Sequence, residues 1–348
     1  MLVLVTGGAG FIGNALVRRL LFQGHSVVAL DKLTYAAAPE ALDEIAGSDR
    51  YAFVHGDVCD PSAVSRVFAE YQPDAVAHLA AESHVDRSIA SPHAFVQTNV
   101  AGTARMLEAS QVFFQALPPD QRRRFRFLQV STDEVFGSLG PDDPPFTETS
   151  PYAPRSPYAA SKAAADHLAR AWSHTYGLPV VLSHGCNTYG PWQYPEKLIP
   201  LMLARAWAGE PMPLYGDGEQ VRDWLHVDDH AAALVALLQQ GTPGKSYLVG
   251  GRSERTNRTV VQAICRRLDH CRPINAPHGR FIVSVNDRPG HDRRYALDPS
   301  QVERQTGWKP TWRFEQGLAA TVDWYLSHAD WWRKKIDKRT HARNLAAE

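Results

Sequence analysis

The first half of the chain alternates between two textures. Short apolar runs, with no polar residue at every second position, occupy Leu2–Thr6, Ser26–Asp31, Phe53–His55, Ala75–Leu79, Arg126–Val130 and Val180–Ser183. Runs of this length without alternation suit strands buried on both faces. Helical stretches lie between them, the first from Phe11 to Phe22. Strand and helix in strict succession predict a parallel sheet with crossover helices on both faces.

Two departures punctuate this pattern. Residues 137–157 are rich in Pro, Asp, Ser and Thr and read as a loop, and a long loop inside a compact domain is more often functional than accidental. After Gly190 the alternation breaks and prolines recur at 191, 195, 200, 211 and 213. The predicted fold is therefore α/β: a Rossmann-type doubly wound sheet over 1–188, with returning elements near 221–240. A smaller C-terminal lobe over 189–330 closes on the carboxyl edge of the sheet, and 331–348 reads as a basic, solvated tail. Late in the lobe, Asp298-Pro299-Ser300 starts a helix that Gly307 stops.

The 348 residues carry 37 Lys+Arg and 37 Asp+Glu. That neutrality argues against a nucleic-acid footprint or a polybasic membrane surface. The run Ala231–Leu238 is far below the ~20 residues of a membrane span. The start, MLVLVTGGAGFIG, has no basic region ahead of its apolar residues and reads as a first strand. Cys59, Cys186, Cys265 and Cys271 are scattered without a C-x-x-C pair, so neither a metal site nor a disulfide framework is indicated, and a cytoplasmic location is expected.

Candidate chemistry begins with Gly8-Ala9-Gly10-Phe11-Ile12-Gly13, between the first strand and the first helix. Glycines there allow a tight turn and a close approach of backbone N–H groups to a pyrophosphate at the helix N-terminus. Asp31 ends the second strand at the spacing of a ribose-binding acid, and its charge would repel a 2′-phosphate, which favours NAD over NADP. Tyr158-Ala-Ala-Ser-Lys162 opens an Ala-rich helix and places the phenol and the ammonium on one face. An adjacent cation would favour the phenolate and make Tyr158 a usable base. Ser131-Thr132-Asp133-Glu134 follows the fifth strand, at the sheet edge where ligands bind. One neutral and one ionised carboxyl there can serve acid–base chemistry on neighbouring atoms.

The TGGAGFIG turn and YAASK, in this order, resemble the extended short-chain dehydrogenase/reductase superfamily. AAESHVDRSI (80–89), STDEV (131–135), YGPWQYPEKLIP (189–200), PLYGDG (213–218), VRDWLHVDDH (221–230) and DRPGHDRRY (287–295) resemble, within it, the dTDP-glucose 4,6-dehydratases. The likeness runs from Thr6 to about Tyr325, and the Thr-Asp-Glu triplet separates these dehydratases from epimerases and decarboxylases of the superfamily.

The resemblance implies catalytic roles for Thr132, Asp133, Glu134, Tyr158 and Lys162. It implies an NAD site made of Gly7, Gly10, Phe11, Ile12 and Gly13, then Asp31, Lys32, Leu33 and Thr34, Asp57 and Val58, Leu79, Ala80, Ala81 and Ser83, Thr98 and Thr188, shared with Tyr158 and Lys162. For the nucleotide sugar it implies Ser83, Thr132, Asn187, Lys197, Leu198, Pro213, Tyr215, Arg222, Asn257, Asp287, Arg288 and His291. The cations Arg222 and Lys197 suit phosphate chemically.

The expected reaction is dehydration of dTDP-glucose to dTDP-4-keto-6-deoxyglucose by a homodimer. Alternatives are a dehydratase or epimerase of another nucleotide sugar, such as a UDP-sugar, and a catalytically silent NAD-binding protein. Four positions depart from the family pattern. Phe136 stands for a tyrosine, Ala38 for an asparagine, His184 for an arginine, and Thr188 for an asparagine on the nicotinamide side.

Overall fold

The computed structural model describes residues 1–336. Its strands, in chain order, are β1 (Leu2–Thr6), β2 (Ser26–Asp31), β3 (Tyr51–His55), β4 (Ala75–His78), β5 (Arg126–Thr132), β6 (Val180–Gly185), β7 (Asn187–Tyr189), β8 (Met212–Tyr215), β9 (Val221–His226), β10 (Ser246–Val249), β11 (Glu254–Thr256) and β12 (Ile282–Val285).

Seven strands form one parallel sheet in the order β10-β6-β5-β4-β1-β2-β3. The chain winds outward from β1 to β3, returns to β4 and winds the other way. The direction of winding therefore switches between β1 and β4, and the crevice at their carboxyl ends is where such sheets bind ligands. Both faces are covered. Val3, Val5, Leu16 and Leu20 lie in the core on one side, and Leu4, Val76, Met106 and Phe127 in that on the other. This explains the unalternated strands of the sequence: each strand buries both sets of side chains.

The seventh strand comes from far along the chain. β10 pairs with β6 after an excursion through the lobe, and helix Val227–Gln240 packs on helix Phe11–Phe22 through Ala15, Val227 and Ala231. The lobe has its own core, in which Tyr189, Met202, Trp224, Ile264, Leu318 and Trp332 meet. Its sheets are β11-β9-β7 and β12-β8. The helix expected after Asp298-Pro299 spans Ser300–Thr306, and Gly307 caps it at φ +69°. Of the segment expected as a tail, residues to 336 continue a helix. There Trp332 is buried, and Lys335 Nζ donates to the Ala37 carbonyl at 3.0 Å and pairs with Glu40 at 3.3 Å. The rest of that tail lies outside the described residues. Among the described residues no helix is long and apolar enough to cross a membrane.

Candidate active site

The cleft is built around the glycine turn. Gly7 takes φ +70°, and a Cβ there would meet Ala80 N at 2.8 Å; one on Gly13 would stand 2.0 Å from the Gly7 carbonyl. Only hydrogens fit, so turn and helix close tightly on the β4 loop. Gly10 caps helix Phe11–Phe22 with no side-chain acceptor, and the first turn holds no acid. Its free N–H groups and the helix dipole face the crevice, as an anion site requires. At the end of β2, Asp31 accepts from Ala9 N–H at 3.0 Å and from Leu33 N–H at 2.8 Å. Burial raises its pKa, and those two amides and Lys32 oppose the rise. Lys32 Nζ in turn reaches Thr98 Oγ1 at 3.2 Å and Asp57 at 3.6 Å. The cradle, the free helix N-terminus and the held carboxylate together fit a dinucleotide.

The other end of the cleft is the mouth of β5 and the start of helix Pro157–Tyr176. Ser156 caps that helix by accepting from Ala159 N–H at 3.0 Å, with Pro157 at its first position. The cap fixes Tyr158 and Lys162 over Thr132. The Tyr158 hydroxyl is hydrogen-bonded to Thr132, whose Oγ1 donates to Asp133 Oδ1 at 3.1 Å and accepts from Glu134 N–H at 3.3 Å. Lys162 Nζ donates to the Val130 carbonyl at 2.6 Å. Burial lowers its pKa, and Asp166, one turn further along the helix, opposes that.

This differs from the sequence expectation for Tyr158. Burial raises the phenol, Glu134 and Asp133 raise it further, and the Thr132 hydrogen bond is what opposes them. Lys162 is turned to a backbone carbonyl instead. The acid pair behaves as anticipated for one carboxyl. Asp133, 2% exposed, is pushed up to about 8 by burial and then by the charge of Glu134. Burial also raises Glu134, but Arg288, Lys197 and Arg222 hold it back. The environment thus treats the two adjacent carboxyls differently, keeping Asp133 protonated at neutral pH while three cations oppose the rise at Glu134.

The structure gathers most residues expected from the sequence into this one cleft. The turn residues Gly7, Gly10, Phe11, Ile12 and Gly13 line it with Asp31, Lys32, Thr34, Asp57, Val58, Leu79, Ala80, Ala81, Ser83 and Thr98. Thr132, Asp133, Glu134, Tyr158, Lys162, Asn187, Thr188 and Lys197 complete that set. Lys197 Nζ donates to the Ser83 carbonyl at 2.6 Å and ties lobe to sheet.

Leu33, Leu198, Pro213, Tyr215, Arg222, Asn257, Asp287, Arg288 and His291 do not line it. Several of these form a rim. Tyr215 and Arg288 both reach Asp86, at 3.1 and 3.4 Å. Asp287 accepts from Gln220 at 3.0 Å and pairs with His291 Nδ1 at 2.6 Å. Asn257 donates its backbone N–H to the Gln220 carbonyl at 3.0 Å. Arg222 is 4% exposed. It donates to the carbonyls of Val221 and Asp292 at 2.7 and 2.9 Å and lies 4.4 Å over the Tyr295 ring.

Glu82, within the expected 79–83 stretch, lines the cleft as well, and sequence reasoning passed over Cys186, Gln193, Glu196 and His230, which also line it. Glu196 was within reach, because it sits in the YPEKLIP motif. It accepts from the Tyr35 hydroxyl at 2.8 Å and lies 3.9 Å from His84. His230 was within reach too, as the last residue of the VRDWLHVDDH stretch. Asp86, central to the rim, lies in the AAESHVDRSI stretch.

The sheet, the glycine turn and the Thr132–Tyr158–Lys162 corner define a Rossmann-type protein of the extended short-chain dehydrogenase/reductase superfamily. Residues 4–321 match the family model described as GDP-mannose 4,6 dehydratase. The chain is 55% identical to the dTDP-glucose 4,6-dehydratase of Xanthomonas campestris pv. campestris, over 96% of this chain and 95% of that one. It is 52% identical to dTDP-glucose 4,6-dehydratase 1 of Escherichia coli, over 95% and 94%. Among solved structures it superimposes with a TM-score of 0.88 on the NAD-bound dTDP-glucose 4,6-dehydratase of Streptomyces venezuelae, 43% identical, covering 96% of this chain and 100% of that one. This chain belongs to the dTDP-glucose 4,6-dehydratase family.

Proposed function

We propose that the protein dehydrates dTDP-glucose to dTDP-4-keto-6-deoxyglucose with a resident NAD. The observation that carries this reading is the acid pair: a protonated Asp133 beside Glu134, whose rise three cations oppose, next to Tyr158, in a cleft fitted for a dinucleotide. The relatives and the Streptomyces venezuelae structure support dTDP-glucose over the UDP-sugar alternative. The triplet itself favours a dehydratase over an epimerase, because epimerisation at C4 needs no acid to expel a C6 hydroxyl.

A bound NAD would supply hydride acceptance from C4 of the sugar and its return at C6. Gly7, Gly10 and Gly13 would admit its pyrophosphate, and Asp31 would accept from its adenosine ribose. Tyr158 would remove the C4 hydroxyl proton once the positive charge of a bound nicotinamide offsets the burial that holds its phenol neutral, and Thr132 would hold that hydroxyl. The 4-ketone acidifies the C5 proton, which Glu134 takes. Asp133 protonates the departing C6 hydroxyl, and Glu134 returns a proton to C5. Lys162 positions the Tyr158 corner. Lys197, Arg222 and Arg288 supply positive charge for the diphosphate, with Tyr215, Asn257, Asp287 and His291 on the rim around it. Residues 1–188 and the returning helix thus serve the cofactor, and 189–330 the nucleotide sugar.

The same reading assigns a cytoplasmic homodimer. The thiols of Cys59, Cys186, Cys265 and Cys271 are all free. Val96 and Val112 are 54% and 70% exposed on the helical stretch beside helix Pro157–Tyr176, an apolar face suited to a second copy. Mass spectrometry of products from dTDP-glucose and UDP-glucose, with no NAD added, tests the assignment. Loss of water from the dTDP-sugar is expected, and turnover of UDP-glucose alone would overturn it.

A further inference from the structure

Gly185 ends β6 directly opposite Thr132 on β5, at the chemical end of the cleft. A Cβ at 185 would stand 2.5 Å from Cε1 and 2.9 Å from Nε2 of His230. The missing side chain is therefore what lets the Cε1–Nε2 edge of that imidazole pack against the Gly185 backbone, and both residues line the cleft. His230 is 2% exposed, and its Nε2 has no hydrogen-bond partner among the described residues. A buried, unpaired polar atom in a cleft wall calls for a ligand group.

The neighbouring contacts fix what that atom offers. Thr188 Oγ1 donates to the Cys186 carbonyl at 3.1 Å and lies 2.8 Å from His230 Nδ1. A hydroxyl has one hydrogen, and a carbonyl can only accept. With that hydrogen on Cys186, Thr188 accepts from Nδ1–H, and Nε2 presents a lone pair. Burial supports the neutral ring, pushing His230 down to about 4.

We propose that His230 Nε2 accepts a hydrogen bond from the carboxamide N–H of the nicotinamide, with Thr188 fixing the tautomer and Gly185 leaving room for the ring in the cleft wall. Thr188 is thus a positioning residue at the place where the family pattern led to the expectation of an asparagine amide. This rests on the NAD reading, since the carboxamide is the N–H donor that the cofactor carries at its reactive end.

The test needs no cofactor-free protein. NAD-loaded wild type, His230→Leu and Thr188→Val are equilibrated with equal excesses of NAD and 3-acetylpyridine adenine dinucleotide. The latter replaces the carboxamide NH₂ with a methyl group. Retained nucleotide is then counted by mass spectrometry after denaturation. Loss of one neutral hydrogen bond predicts that His230→Leu lowers the retained ratio of NAD to analogue by up to about tenfold. Thr188→Val, close in shape, moves it the same way and decides the matter if His230→Leu does not fold. Wild-type ratios in the folded variants would overturn the proposal while leaving NAD binding intact. A loss confined to dTDP-sugar affinity would assign Nε2 to a sugar hydroxyl and also overturn it. Wild type that retains neither dinucleotide would sink the NAD reading itself.

Discussion

Glu134 is, after burial, the largest influence that raises Asp133, which it follows directly in sequence; at Glu134 itself three cations, Arg288, Lys197 and Arg222, oppose the rise. The sign of the consequence is definite. Asp133 is protonated below about 8 in the folded chain and ionises from its ordinary value of 3.8 when unfolded. Its protonated form is therefore the catalytic acid at neutral pH, and elimination should slow as pH rises through about 8. Stability follows the same linkage, because the native state holds a proton that the unfolded chain releases. Asp133→Asn should therefore gain in melting temperature over wild type as pH rises from 4 toward 8, and level off above that. Elimination in the variant should fall on the order of 10²–10⁴-fold. A constant difference in melting temperature across that range would contradict the raised pKa.

Glu134→Gln removes the base and leaves Tyr158 in place. Oxidation at C4 should proceed and stop there. Stopped-flow absorbance should then show reduced cofactor forming and persisting. Elimination at the wild-type rate would mean that another group takes the C5 proton.

These two residues show how much the sequence could disclose. Strands β1 to β6, the glycine turn and the Tyr–Lys helix were legible because each is a local pattern. The acid pair was legible as a pair, but not its division of charge. That depends on Arg288, Lys197 and Arg222, which come from three separate stretches of the lobe. β10 was hidden for a similar reason: Ser246–Val249 is short, and only its pairing with β6 makes it part of the main sheet. The Tyr158–Lys162 spacing puts both residues on one helix face, but helix periodicity says nothing of the Val130 carbonyl that takes the ammonium.

Asp31 tests the cofactor end. Its carboxylate is fixed by two loop amides, so its charge cannot swing away from a 2′-phosphate. Wild type should bind NAD well ahead of NADP in a competition titration. Asp31→Asn keeps an acceptor and loses the charge, and should narrow the gap by roughly tenfold or more. Equal wild-type affinities would count against the assignment.

Arg222 is expected to couple binding to stability. Its guanidinium bonds two backbone carbonyls and stacks on Tyr295, all in a buried place. Arg222→Ala should cost about 1–3 kcal/mol of folding stability by stranding those carbonyls. It should also raise KM for the dTDP-sugar more than it lowers kcat, because a diphosphate does not change during the reaction. Denaturant titration and steady-state kinetics check the two halves separately. An unchanged KM with a collapsed kcat would place Arg222 on the sugar instead.

Arg288 gives the sharper electrostatic test. It is the first of the groups that hold Glu134 down, yet its direct partner is Asp86, at 3.4 Å across the rim. Removing its charge should raise the pKa of Glu134, and a base works only when ionised. The acid limb of the single-turnover elimination profile should therefore move to higher pH in Arg288→Ala. The alkaline limb, set by Asp133 near 8, has Arg222 rather than Arg288 among its influences and should stay in place. The profile thus narrows from one side. Arg288→Lys keeps a positive charge and should restore much of the acid limb, even though a lysine cannot reproduce the planar fork. If the alanine variant shifts KM alone, with both limbs where they were, Arg288 acts on the diphosphate and not on Glu134.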